Sequence, residues 1–173
     1  MTKQGRRSPT SSRRLVLGFL LRCVIYWGVA LLLVSRVSAL ENGGIKLTTG
    51  TLVQALRIFD RSAGVTEHTV HTSRASIEIV PDCSPHMPFL IFAAVVLAFP
   101  ASWKKRTLGL SLGAVVIHLF NTVRIMTLIW VLAAKPNWFE FIHVYLWQTG
   151  TILIVFVTFA LWIRTITPRM KPA

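Results

Sequence analysis

Apolar positions in this 173-residue chain fall in long unbroken runs rather than at the spacing of a half-buried surface helix. Leu15–Val34, Leu108–Ala134 and Val144–Ile163 each reach the roughly 20 residues that a helix needs to cross a bilayer. A fourth run, Met87–Trp103, is marginal, because its clean apolar part stops near Phe99 and Pro100 interrupts its end. Between the first run and this one the pattern changes. Glu41-Asn42-Gly43-Gly44 reads as a turn or linker. Within Thr51–Ser62, Leu52, Ala55, Leu56 and Phe59 recur at helical spacing, with Gln54, Arg57, Asp60 and Arg61 on the other faces. That predicts a short amphipathic helix on the membrane surface or on the bundle. From Thr69 to Val80 β-branched residues alternate, ending in Ile77-Glu78-Ile79-Val80, which predicts a strand or hairpin. This segment is too small for a core of its own, so it is expected to pack on the outer face of the bundle.

The predicted fold is an all-α polytopic membrane protein with four transmembrane helices and a small extracytoplasmic α/β segment between the first and second. The expected boundaries are a basic tail at 1–14, a first transmembrane helix at 15–37, the extracytoplasmic segment at 38–86, a three-helix catalytic membrane core at 87–164 and a basic tail at 165–173.

Charge decides between two readings of the basic composition. A net charge of +13 alone would fit a nucleic-acid binder. Its distribution does not. Lys3, Arg6, Arg7, Arg13 and Arg14 precede the first run, Lys104, Lys105 and Arg106 follow the second, and Arg164, Arg169 and Lys171 follow the last. All six acids, Glu41, Asp60, Glu67, Glu78, Asp82 and Glu140, lie in the two intervening segments. Cytoplasmic loops carry the Lys/Arg excess, so the charge predicts both termini in the cytoplasm, with Met87–Trp103 counted as a span. No nucleic-acid partner is expected. Val37-Ser38-Ala39 resembles a signal-peptidase site. The apolar stretch before it exceeds a signal sequence's ~7–15 residues, and Arg36 adjoins it, so an uncleaved anchor is expected. Arg22 lies near enough to the cytoplasmic end of the run to snorkel.

That topology sets three reactive residues on one side. Cys83 precedes an inward span, His143 opens another, and Arg124 lies on the outward one about 15 Å short of its end. An ionisable residue inside a span is expensive and functional by default. Asn121, three residues before Arg124, shares its face and is positioned to aim the guanidinium. His118, a turn further back, reads as an interhelical hydrogen-bonding residue. A cysteine nucleophile reacts as the thiolate, which a nearby cation or imidazole favours. Histidine can take the thiol proton and return it to a leaving amine, and arginine can stabilise a developing oxyanion. Cys83, Arg124 and His143 thus form a coherent acyl-transfer set. Asp82, Cys83, His86 and His143 are capable of binding metal, but paired ligand spacing is absent and the arginine opposes a cation. Cys23, in the cytoplasmic part of the first span, is too far from Cys83 for a redox pair. The competing reading from another class is a non-catalytic scaffold or assembly factor for envelope polysaccharide or protein export.

Cys83 before a span, Asn121-Thr122-Val123-Arg124 within the next and Phe141-Ile142-His143 opening the last resemble the exosortase/archaeosortase family. The resemblance covers about Ile77–Trp162, and the short N-terminal half is similar to compact members. It implies a membrane cysteine transpeptidase with Cys83, Arg124 and His143 as catalytic residues. The implied substrate is a membrane-anchored protein with a C-terminal sorting signal, made of a short motif, a transmembrane helix and a basic tail. An acceptor linked to the cell envelope would resolve the thioester, at the outer face of a bacterial cytoplasmic membrane. No cofactor is required. The family usually shows Cys-x-Gly, whereas this chain carries Cys83-Ser84-Pro85.

Overall fold

The computed structural model describes residues 9–36 and 38–166. Helix α1 (Pro9–Arg36) is followed by α2 (Ser38–Leu56), strands β1 (Gly64–Thr66), β2 (Thr69–His71) and β3 (Ser76–Glu78), and a 3-10 turn, Pro81–Cys83. Helices α3 (His86–Ala98) and α4 (Trp103–Ala134) come next, then a 3-10 turn, Pro136–Trp138, and the single helical turn α5 (Phe139–Phe141). A π-helical turn, Ile142–Leu146, leads into α6 (Trp147–Ile166). Of the expected basic tails, residues 1–8 and 167–173 lie outside the described residues, as does Val37 of the possible cleavage site, while 9–14 form the first turns of α1.

Three helical stretches are long and apolar enough to cross a membrane, Val16–Arg36, Trp103–Ala134 and Pro136–Ile166. The expected second span is shorter. Helix α3 has 13 residues, about 20 Å of rise against the ~30 Å of a hydrocarbon core. Proline sets its end: the residue before a proline is driven out of the helical region, and Phe99, before Pro100, is extended at φ −69°, ψ 136°.

Tie points show how the long helices run. The Asn121 amide reaches the Cys83 carbonyl at 2.8 Å, Phe92 lies over Gly113, and Arg106 Nη2 donates to the Phe99 carbonyl at 3.1 Å. Helix α3 therefore descends α4 antiparallel. On another face, Trp162 Nε1 donates to the Lys105 carbonyl at 2.9 Å and Lys105 Nζ to the Ile166 carbonyl at 3.0 Å. Phe120 meets Trp147 edge-on at 5.5 Å higher up, so α6 is antiparallel to α4 as well. Gly109 and Gly113 make these contacts possible. A Cβ at Gly109 would stand 2.5 Å from the Trp162 ring nitrogen, and one at Gly113 would collide with Phe92. Small residues four apart allow close approach in membrane bundles. Phe92, Val96, Ile117 and Trp162 form the core of this lower half. Helix α1 lies outermost, touching the bundle through Phe19 on Phe99 and exposing Leu17, Leu20, Leu21 and Val24.

A second core fills the upper half, where Leu52, Leu56, Val70, Ile79 and Cys83 pack with Ile125 and Ile129 of α4. Helix α4 has 32 residues, about 48 Å, so it projects beyond a bilayer and lends one face to the segment that could not bury a core alone. The strands form an antiparallel meander ordered β1-β2-β3, with Val70 opposite Val65 and Ile77. The hairpin expected over Thr69–Val80 is present, and β1 adds a strand to it.

The helix expected at Thr51–Ser62 is displaced: α2 runs from Ser38 to Leu56 and continues through the stretch Glu41–Gly44 that reads as a turn. Gly44 serves packing there, since a Cβ would sit 3.2 Å from Ser84 Oγ. Thr48 and Thr49 hydroxyls bond back to the Gly44 and Ile45 carbonyls at 2.8 and 3.0 Å. Beyond Leu56 the chain leaves the helix because Asp60 gathers two loops. One carboxylate oxygen accepts from the amide and hydroxyl of Ser62 (3.0 and 2.6 Å), the other from those of Ser73 (both 2.7 Å). Phe59, expected on the buried face, is exposed.

Candidate active site

Arg124 and His143 meet at the top of the lower bundle. Arg124 Nη2 lies 3.3 Å from His143 Nε2. Guanidinium nitrogens carry only donors, so this contact makes Nε2 the acceptor and assigns the ring proton to Nδ1. The antiparallel course of α4 and α6 brings the pair to one level, and the π turn aims the imidazole. Such a turn holds an extra residue and rotates what precedes it relative to a regular helix; it recurs at functional sites. Phe139 stacks on the His143 ring at 5.6 Å between centroids and 26° between planes, holding its orientation. Arg124 Nε is buried with no hydrogen-bond partner among the described residues, and it marks the place where an acceptor group from outside the chain would be welcome.

Cys83 ends the 3-10 turn and is 8% exposed, its side chain within the upper core. Proline begins this turn, and its fixed φ suits a first helical position. Asn121, 4% exposed, donates to the Cys83 carbonyl at 2.8 Å. Its amide therefore holds the cysteine turn against α4 rather than aiming the guanidinium, and it does so from one turn below Arg124. Thus Arg124 and His143 are in direct contact, and Cys83 is joined to the same stretch of α4 through Asn121.

The remaining candidates separate clearly. His118 Nε2 pairs with Thr51 Oγ1 at 2.9 Å, an interhelical hydrogen bond. Cys23 is half-buried on α1, one turn beyond the Phe19 contact with Phe99, at the end of α3 remote from Cys83. Among the described residues no three His, Cys, Asp or Glu side chains are grouped to hold a metal ion.

An open groove of about 510 Å³ starts at Arg124 and His143 and runs down between α3 and α6, over Met87, Ile91, Gln148 and Ile152. Its walls are mainly apolar, its head is cationic, and Gln148 adds an amide a little more than one turn below His143. Sequence patterns gave no sign of the π turn. Gln148, the one side-chain amide in the run Val144–Ile163, was a visible signal for the groove.

Residues 11–163 match the family model described as transmembrane exosortase (Exosortase_EpsH). No curated protein and no solved structure matches the chain. The family match extends from the start of α1 almost to the end of α6 and takes in Cys83, Asn121, Arg124 and His143. The chain belongs to the transmembrane exosortase family.

Proposed function

We propose that the protein is a cysteine transpeptidase of the bacterial cytoplasmic membrane that cleaves C-terminal sorting signals and passes the shortened protein to an envelope acceptor. The observation that carries this reading is the Arg124–His143 contact at the head of an apolar groove, on the stretch of α4 to which Asn121 fastens the cysteine turn.

Depth supports it. With Lys104, Lys105 and Arg106 at the cytoplasmic interface, Arg124 comes eighteen residues later, about 27 Å along α4 at 1.5 Å per residue. That is the far edge of a ~30 Å hydrocarbon layer. The sheet and the last turns of α4 then lie outside the membrane, α2 reaches into its outer part where Thr51 pairs with His118, α3 with its non-helical flanks makes a fourth crossing, and both termini are cytoplasmic. A substrate whose own apolar helix lies in the groove would present the peptide bond above that helix at the level of Arg124 and His143.

The chain's own groups then act in sequence. Arg124 turns from His143 Nε2 to the incoming carbonyl oxygen, the freed Nε2 accepts the Cys83 thiol proton, and the thiolate attacks the scissile carbonyl. Arg124 stabilises the oxyanion in apolar surroundings, where its charge counts for more than in water. The proton returns from His143 to the departing amine, leaving a thioester on Cys83. A nucleophile of the acceptor attacks that carbonyl, the C–S bond breaks, and Cys83 is regenerated.

The test is Cys83→Ala against Cys23→Ala in cells, following a secreted protein that ends in a sorting signal. Processing should stop in the first and continue in the second. Normal processing by both would rule out cysteine catalysis.

A further inference from the structure

Four polar side chains line the groove between α3 and α6: Arg124, His143, Gln148 and Thr151. Three of them are already engaged. Arg124 and His143 pair at 3.3 Å, and the Thr151 hydroxyl donates to the Trp147 carbonyl of its own helix at 2.8 Å. Gln148 is exposed, and among the described residues its side chain makes no hydrogen bond.

Depth makes that free amide costly. Gln148 follows His143 by five residues, about 7 Å further down α6, so in the proposed topology it lies inside the hydrocarbon layer. Lipid tails offer an amide no partner, and polar side chains in spans find theirs on a neighbouring helix. Long side chains of a helix lean toward its N-terminus, which in α6 is the end at His143. The amide therefore reaches up toward the catalytic pair, into the space just above the start of a helix seated in the groove.

That space is where such a helix needs an acceptor. The first four N–H groups of an α-helix have no partner within it. In a substrate whose basic tail is cytoplasmic, the apolar helix begins on the outer side, and those N–H groups point up at the catalytic pair. Arg124 carries only donors, and it occupies His143 Nε2. Gln148 has the free carbonyl.

We infer that Gln148 is a positioning residue that caps the substrate's membrane helix. Its side-chain carbonyl accepts one of the helix's first N–H groups and so fixes which peptide bond lies at Arg124 and His143. This deepens the reading of the groove as the substrate's seat and rests on it. A helix that slides by one residue moves about 1.5 Å along its axis and loses the cap, so one bond is presented in preference to its neighbours.

The test measures binding alone, with no chemistry and no known sorting motif. The full-length Cys83→Ala chain, in vesicles of phosphatidylethanolamine and phosphatidylglycerol, is titrated with synthetic peptides by fluorescence transfer. Each peptide has a glycine leader, a Leu/Ala helix of about 20 residues and a Lys-Arg tail. The first four helical residues are replaced one at a time by their N-methyl forms, which deletes an N–H that no intrahelical bond uses. At one of the four positions, methylation should weaken binding at least five-fold. Adding Gln148→Met keeps the side-chain length and removes the carbonyl. The unmethylated peptide should then bind at least five-fold more weakly, and methylation should change its affinity less than two-fold. Thr149→Val, beside Gln148 but outside the groove lining, should keep the full methylation effect. Equal binding of all five peptides before the Gln148 change, or a methylation effect that survives it, overturns the inference. Failure of every peptide to bind, or binding unmoved by the groove-filling Ile152→Trp, would instead remove the groove as the substrate's seat, the reading beneath it.

Discussion

The buried amide of Asn121 couples the turn that bears Cys83 to the helix that bears Arg124, so its removal acts on both position and stability. Asn121→Ala strands a buried carbonyl, a loss of about 1–3 kcal/mol. Thermal unfolding in detergent should report that loss, and thioester formation should fall further than the lost folded fraction explains. Arg124→Lys is not conservative, because a compact ammonium replaces a planar fork. Processing should drop at least ten-fold while His143 and the fold stay intact, as read by expression level and helical signal. Asp60 makes a pH-dependent prediction outside the spans. Hydrogen bonds from Ser62 first, then Ser73, hold its carboxyl below the usual 3.8. A depressed folded-state value means that the carboxylate's contribution is complete above that ordinary pKa and fades as pH falls beneath it. Protection factors at the Ser62 and Ser73 amides, taken after correction for the intrinsic pH dependence of exchange, should therefore exceed those of Asp60→Asn above pH 4, and the difference should shrink on acidification. At this scale much was legible. Cys83, Arg124 and His143 stand out as reactive residues at one predicted level. The partner of Asn121 did not, because a carbonyl thirty-eight positions away leaves no trace in local spacing.

Among the elements, the π turn at Ile142–Leu146 and the α4 glycines set the geometry. Deleting one residue from the π turn, Tyr145 for example, restores a regular helix and turns His143 by about 100° relative to α6. Helical content should be unchanged and thioester formation abolished; retained activity would show that the turn does not aim the imidazole. Gly113→Leu drives a side chain into Phe92. Overpacking of this kind costs about 1–3 kcal/mol or more where the backbone cannot yield, and it should lower the melting temperature more than Gly43→Leu, whose Cβ meets nothing within 4 Å. Sequence pattern served unevenly here. Long apolar runs and the β-branched alternation of Thr69–Val80 announced their elements. Gly43-Gly44 suggested a linker because the usual meaning of paired glycines is a turn. In this fold, Gly44 lets α2 pass close to Ser84, a requirement that only tertiary contact reveals.

For the whole molecule, α4 unites two halves. Its first two-thirds packs with α3 and α6 through Gly109, Gly113 and Ile117, and its last third carries the core of the outer segment through Ile125 and Ile129. Cys83 sits where these halves meet, and the groove between α3 and α6 opens below it. The distribution of basic and acidic residues is what predicts the overall topology, while the brevity of α3 follows from Pro100 and the need to match α4 only between Arg106 and Asn121. The central claim is that Cys83 becomes acylated by the severed substrate. Its most direct test is mass spectrometry of the full chain isolated from cells expressing a sorting-signal protein, with acid quenching and hydroxylamine release. The account predicts an acyl adduct on the peptide containing Cys83, removable by hydroxylamine and lost in His143→Ala. Processed substrate with no such adduct, or an adduct confined to Cys23, would contradict it.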